Sequence, residues 1–173
     1  MGCQTEIAAK IRSKGADYVL AVKENRPTLH REIAEYFRHL DEAKRPPLPE
    51  DIWESDLEKD HGRLERRRVR TACDIGFLSD AKEWKGLRTI VECRGERTVP
   101  GGETKVTYRY YISSRDCAAA EFGRIIRGHW SIENNLHWAL DVSFGEDGCR
   151  ARKDNSPRNL EAMRKTALGL LRR

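Results

Sequence analysis

In the segment HWSIENNLHWALDVSFGED, His129 to Asp147, one glutamate stands between two histidines, each four residues away. Side chains four apart share a helix face, so a helix here points His129, Glu133 and His137 the same way. At about 100° per residue, Phe122, Ile126 and Leu140 fall within about 20° of Glu133. The carboxylate is thereby expected on the apolar, inward face, where an unmet charge is costly. Three arrangements satisfy it. His129 or His137 hydrogen-bonds to Glu133 in a structural network. Alternatively imidazole and carboxylate belong to a zinc-type site. In the third, Glu133 binds a hard divalent ion through oxygen, with its partners elsewhere in the chain. The outer histidines stand about 12 Å apart along such a helix, so they cannot both ligate one ion, and H-x3-E-x3-H is not the H-E-x-x-H of zinc proteases. Spacing alone leaves the three readings open.

The elements that must position these residues follow from periodicity and punctuation. Gln4 to Ser13 reads as a short helix closed by Gly15, and Asp17 to Val22 (DYVLAV) as a buried strand. Pro27 opens a helix over Thr28–Leu40 with Leu29, Ile33, Tyr36 or Phe37, and Leu40 inward. Asp41 to Asp60 carries Pro46, Pro47 and Pro49 among charges and reads as a linker. Three strand candidates follow. Arg63–Cys73 alternates poorly, whereas Leu87–Arg94 and Lys105–Ser113 alternate well around the turn TVPGGETK. A long helix from about Cys117 to Val142, capped by Ser114 or Asp116, ends at GEDG. A last helix starts at Ser156–Pro157, with Leu160, Met163 or Arg164, Ala167 and Leu171 inward.

The chain has 173 residues, 38% hydrophobic and 35% charged, enough for a core with a wet surface. No apolar run reaches the ~20 residues of a membrane span, and no basic-then-apolar leader opens it. Five scattered cysteines, with no C-x-x-C pair, suit reduced thiols in a cytoplasmic protein. The formal charge of +5 is unevenly placed. Arg63, Arg66, Arg67, Arg68 and Arg70 crowd one strand, and Arg150, Arg152, Lys153 and later cations crowd the C-terminal tail. Arginine suits bidentate phosphate contact, though a solvated charged face accounts for the same residues.

The segment around Glu133 resembles the C-terminal signature of bacterial insertion-sequence transposases of the Asp-Asp-Glu class. The branch is that of the ISAs family with the H-repeat-associated proteins. The resemblance extends over essentially the whole chain. It takes in MGCQTEIA at Met1–Ala8, YVLAVKEN at Tyr18–Asn25, HGRLERR at His61–Arg67 and YYISS at Tyr110–Ser114. It implies an α/β fold, the C-terminal part of an RNase H-like domain, whose mixed sheet carries helices on both sides and a β-rich insertion before the catalytic helix. Residues 1–40 would then be partial core, 41–114 linker and insertion, and 115–173 the glutamate helix and C-terminal helix.

The same resemblance implies metal-dependent phosphoryl transfer on DNA ends, with Glu133 as catalytic residue and metal ligand. Related transposases space a Tyr, an Arg, the Glu and a Lys along this helix. Here Ile126, His129 and Leu140 replace the first, second and fourth, leaving His129 and His137 as the supporting groups. Two Mg2+ or Mn2+ ions would occupy the complete site. DNA is the implied partner, a homodimer is compatible with a full-length protein, and no membrane is involved. The family's second aspartate lies just before the segment matching MGCQ. The chain is therefore expected to be the C-terminal portion of a transposase, inactive alone and unable to hold the ions stably. The competing expectations are a non-catalytic DNA-binding remnant and an unstable pseudogene product.

Lys23, Asn25, His61, Arg63, Arg67, Trp130, Arg150 and Arg152 are the candidate DNA contacts. Each has a plainer reading: a turn at His61, a helix entry at Lys23 and Asn25, core packing for Trp130 and Trp138. Asp141 is expected in a salt bridge, and Glu146 and Asp147 at the helix end.

Overall fold

The computed structural model describes residues 3–23, 25–43, 48–60, 62–132 and 139–171; at 49, 60, 130–132 and 139 it describes the backbone alone. The chain is α/β and divides into two compact units, Met1–Gly123 and Arg124–Arg173. In chain order the first unit contains α1 (Thr5–Ser13), β1 (Val19–Val22), α2 (Pro27–Glu42), β2 (Ile52–Glu54), β3 (Glu58–Asp60), β4 (Arg63–Ala72), β5 (Thr89–Thr98) and β6 (Thr104–Ser113). It also holds the start of α3 (Ala119–Ile132). The second unit carries the rest of α3, a π-helical turn over Ala139–Ser143, and α4 (Ser156–Leu171).

The strands form one sheet in the order β1-β6-β5-β4-β2, with β3 also on β4. Every pairing among the described strands is antiparallel, where the resemblance implies a mixed sheet. β1 joins it through Val19↔Ser113 and Val22↔Tyr110. Around that seam Ser114 Oγ accepts from the Tyr18 amide at 3.1 Å and donates to Asp17 at 2.8 Å. Asp116 meets the Cys73 thiol at 3.5 Å. The two residues expected to cap α3 are thus engaged elsewhere, and α3 begins at Ala119.

One face of the sheet holds the core. Leu29, Ile33 and Phe37, one helical turn apart on α2, are at most 1% exposed and pack with Val22, Ala72, Ile90, Tyr110 and Ile112. Each such side chain contributes about 1.5–3 kcal/mol of burial. The inner stripe expected for α2 is borne out. On the other face lies Trp53, opposite Val69. A Cβ added to Gly123 would sit 2.6 Å from the Trp53 ring, so the first turns of α3 run directly over β2. Glycine at 123 is what permits that approach.

Several expectations need correction. The presumed linker contains β2 and β3, strands of three residues whose partners are on β4. They are too short to show a period of two. β4 alternates poorly because its last four residues, Val69–Ala72, are all buried, as in a strand covered on both faces. In α4 Met163 and Leu171 are 68% and 78% exposed. Leu160, Arg164 and Ala167 of the expected stripe are half-buried, beside Leu168, which packs with Leu140 and Phe144.

Candidate functional site

α3 is the element that would carry the site. Its Phe122 and Ile126 are buried, as the inward stripe requires. His129, three residues after Ile126, is exposed. Of the helix expected from about Cys117 to Val142, α-helix is described from Ala119 to Ile132, and Ala139–Ser143 is π-helical. Glu133, His137 and Trp138 lie outside the described residues, as does the side chain of Trp130. Leu140, on the π turn, is 2% exposed. Gly145 closes that turn with φ +60°, and the Glu146 amide donates to the Leu140 carbonyl at 3.0 Å. Glu146 lies 3.8 Å from Arg164 of α4, and Asp141 is exposed.

Among the described residues no group of three or more His, Cys, Asp or Glu could hold a metal ion. Glu133, like Glu24, lies outside the described residues. Nor is any described helix long and apolar enough to cross a membrane.

The remaining candidates separate into three states. Lys23 and Asn25 are exposed where β1 leads into α2, and Arg150 is exposed in the second unit. Arg152 donates to the carbonyls of Cys149 and Ala151 at 2.8 and 2.9 Å. Arg63 and Arg67, by contrast, converge on Glu65 with Arg97, at 2.8, 2.6 and 3.1 Å. Burial pushes the Glu65 carboxyl up, but Arg67, Arg97 and Arg63 outweigh it and hold its pKa below the ordinary value. Arg67 also reaches Glu58 at 3.3 Å. These two arginines are engaged within the sheet, and His61 lies outside the described residues.

Reading the sequence missed a second charged cluster. Arg70, on the core side of β4, bonds Glu92 of β5 at 2.7 Å and Asp41 of α2 at 2.5 Å, with Phe37 beneath its guanidinium at 5.1 Å. Burial pushes the Glu92 carboxyl up and Arg70 only partly offsets it. The signal was the register: Arg70 and Glu92 are direct partners across the two strands.

The comparisons with known proteins decide the family. The model of the transposase DDE domain matches residues 1–170. The chain belongs to the transposase DDE domain family. It is 38% identical to "H repeat-associated putative transposase YhhI" of Escherichia coli (strain K12) over 176 residues, 99% of this chain and 45% of that one. It is likewise 38% identical to "Putative protein YbfL" of the same strain, with the same coverage. Against "Putative transposase YncI" of Escherichia coli O157:H7 it is 40% identical over 184 residues, 99% of this chain and 44% of that one. The H-repeat-associated branch expected from the motifs is therefore the right one. This DDE-family chain spans less than half the length of these curated relatives. No solved structure matches it significantly.

Proposed function

We propose that the chain is the C-terminal portion of an insertion-sequence transposase with an RNase H-like arrangement. Its sheet and helices would carry the glutamate of a three-carboxylate site. The single observation behind this reading is the family match over residues 1–170, supported by relatives that align along nearly the whole chain. In this reading residues 1–40 and 115–173 belong to the catalytic core and 41–114 to the insertion. The reaction is phosphoryl transfer on the ends of a DNA element, supported in the family by two Mg2+ or Mn2+ ions. Glu133 is the ligand this chain contributes. His129 and His137, four residues away on either side in sequence, would supply positive charge to steady phosphate oxygens. A protein acting on chromosomal DNA in a bacterium works in the cytoplasm, and pairing two DNA ends suits a homodimer of the full-length enzyme.

In this reading the two aspartates that complete the site come from the rest of the longer transposase, and this chain alone is not expected to cut DNA. A second reading, a DNA-binding module without catalysis, is favoured by the concentration of arginine on β4 and β5. Manganese titration separates them. Specific Mn2+ binding that disappears in Glu133→Gln supports the catalytic reading. Binding that persists unchanged in Glu133→Gln removes Glu133 from the metal site.

A further inference from the structure

β4, β5 and β6 continue outward together as an arm over residues 63–68, 94–98 and 104–109, with β3 and Glu54 of β2 along the outer edge of β4. Eight cations and two carboxylates lie in those three stretches, and the edge adds Glu54, Glu58, Lys59 and Asp60. The two faces of the arm use this charge differently. Residues directly opposite one another on neighbouring strands share a face. On one face Glu65 gathers Arg63, Arg67 and Arg97.

The opposite face continues the core side. Its last buried row is Arg70, Glu92 and Tyr110, in which the arginine is neutralised. The next row outward is Arg68, Arg94 and Tyr108. The pattern repeats with the charge of the middle strand reversed. Two guanidinium groups now stand directly opposite, an arrangement that disfavours folding unless an anion relieves it. Relief inside the protein comes from two carboxylates: Glu54, across the strands from Arg68, lies 3.4 Å from it, and Glu96 lies 2.7 Å from Arg94, with each guanidinium about one-third exposed. Half-exposed pairs of this kind contribute little, so a phosphate can compete for both arginines. Arg66, one row further out, is exposed and has no ion pair among the described residues. Tyr108 is 51% exposed.

We infer that this row is a DNA-backbone contact. Arg68 and Arg94 take phosphates of one strand, Arg66 extends the track outward, and the Tyr108 ring offers a platform for an unpaired base. The inference rests on the transposase reading and adds to it the surface that holds the substrate. It also moves the contact from Arg63 and Arg67, which Glu65 holds, to the opposite face.

The test is fluorescence anisotropy of the full chain with labelled duplex and single-stranded oligonucleotides over a salt series. Arg68→Gln with Arg94→Gln is expected to lower the slope of log affinity against log salt by about two for duplex, and Arg66→Gln by about one. Tyr108→Ala is expected to weaken single-strand binding by roughly five-fold or more while sparing duplex. Arg68→Lys with Arg94→Lys keeps the slope, and Lys82→Gln, exposed and off the arm, changes nothing. Arg66→Gln breaks no ion pair in the fold, so its result stands even if the double variant unfolds. If the wild type binds DNA and these glutamine variants keep its affinity and slope, the arm inference is overturned and the transposase reading survives. If the wild type binds no DNA, the inference also falls, and the manganese titration of Glu133→Gln judges the transposase reading separately. Binding to phosphatidylserine vesicles without binding to DNA would overturn it in favour of a membrane surface.

Discussion

At the residue scale, buried charge in this protein is tolerated only where it is matched. Arg70 is 8% exposed and every arm of its guanidinium is used, by Glu92, Asp41 and the Phe37 carbonyl. Replacing it with methionine leaves Glu92 buried without a cation, and should cost about 3–5 kcal/mol, read as a lowered urea midpoint. The two buried carboxylates should answer acid in opposite senses. Glu65 is held below its ordinary value of 4.5, so the unfolded chain takes up its proton first. Its stabilisation is complete above that value and is lost as pH falls further. Glu92 is raised by burial, so protonation on acidification favours its folded form. Glu65→Gln is therefore expected to flatten the loss of Tm below about pH 4.5, while Glu92→Gln leaves that loss in place. A thermal scan at a series of pH values checks both, and an equally steep acid limb in Glu65→Gln would refute the assignment.

At the element scale, two glycines set the course of α3 and of the π turn after it. Gly123 lets α3 cross Trp53, and Gly123→Ala should destabilise the first unit by about 1–3 kcal/mol through overpacking. Trp53→Leu in the same chain should recover part of that loss, and an additive double variant would disprove the contact. Gly145, at φ +60°, ends the π turn. Gly145→Ala should cost roughly 1 kcal/mol, seen as faster amide exchange around Leu140 and Leu168. Most elements were legible in the sequence because their periodicity is strong: α2 shows its stripe at Leu29, Ile33 and Phe37, and β5 and β6 alternate. What escaped notice was set by partners distant in sequence. β2 and β3 exist because β4 pairs with them. Ser114 and Asp116 do not cap α3 because Tyr18, Asp17 and Cys73 engage them first. Of the site, the family was readable from motif order. The state of Arg63 and Arg67 was within reach too, since a strand's two-residue period sets Glu65 between them on one face, but the arrival of Arg97 needs the register.

On the scale of the whole molecule, one sheet ties together segments that are far apart in the chain. The Tyr18 amide finds its partner, Ser114, 96 residues later. During synthesis at about 5–20 residues per second, β1 waits roughly 5–20 s for β6 to emerge. Its DYVLAV stretch is apolar and lacks the lysines or prolines that discourage strand addition by other chains. Nascent chains halted before residue 104 should therefore engage a trapping chaperone or aggregate, and those carried past Ser114 should not. Arrested nascent chains of graded length, assayed by protease resistance, would locate that switch. The seam between β1 and β6 thus sets a clock on the birth of the protein: β1 leaves the ribosome well before the strand that shelters it.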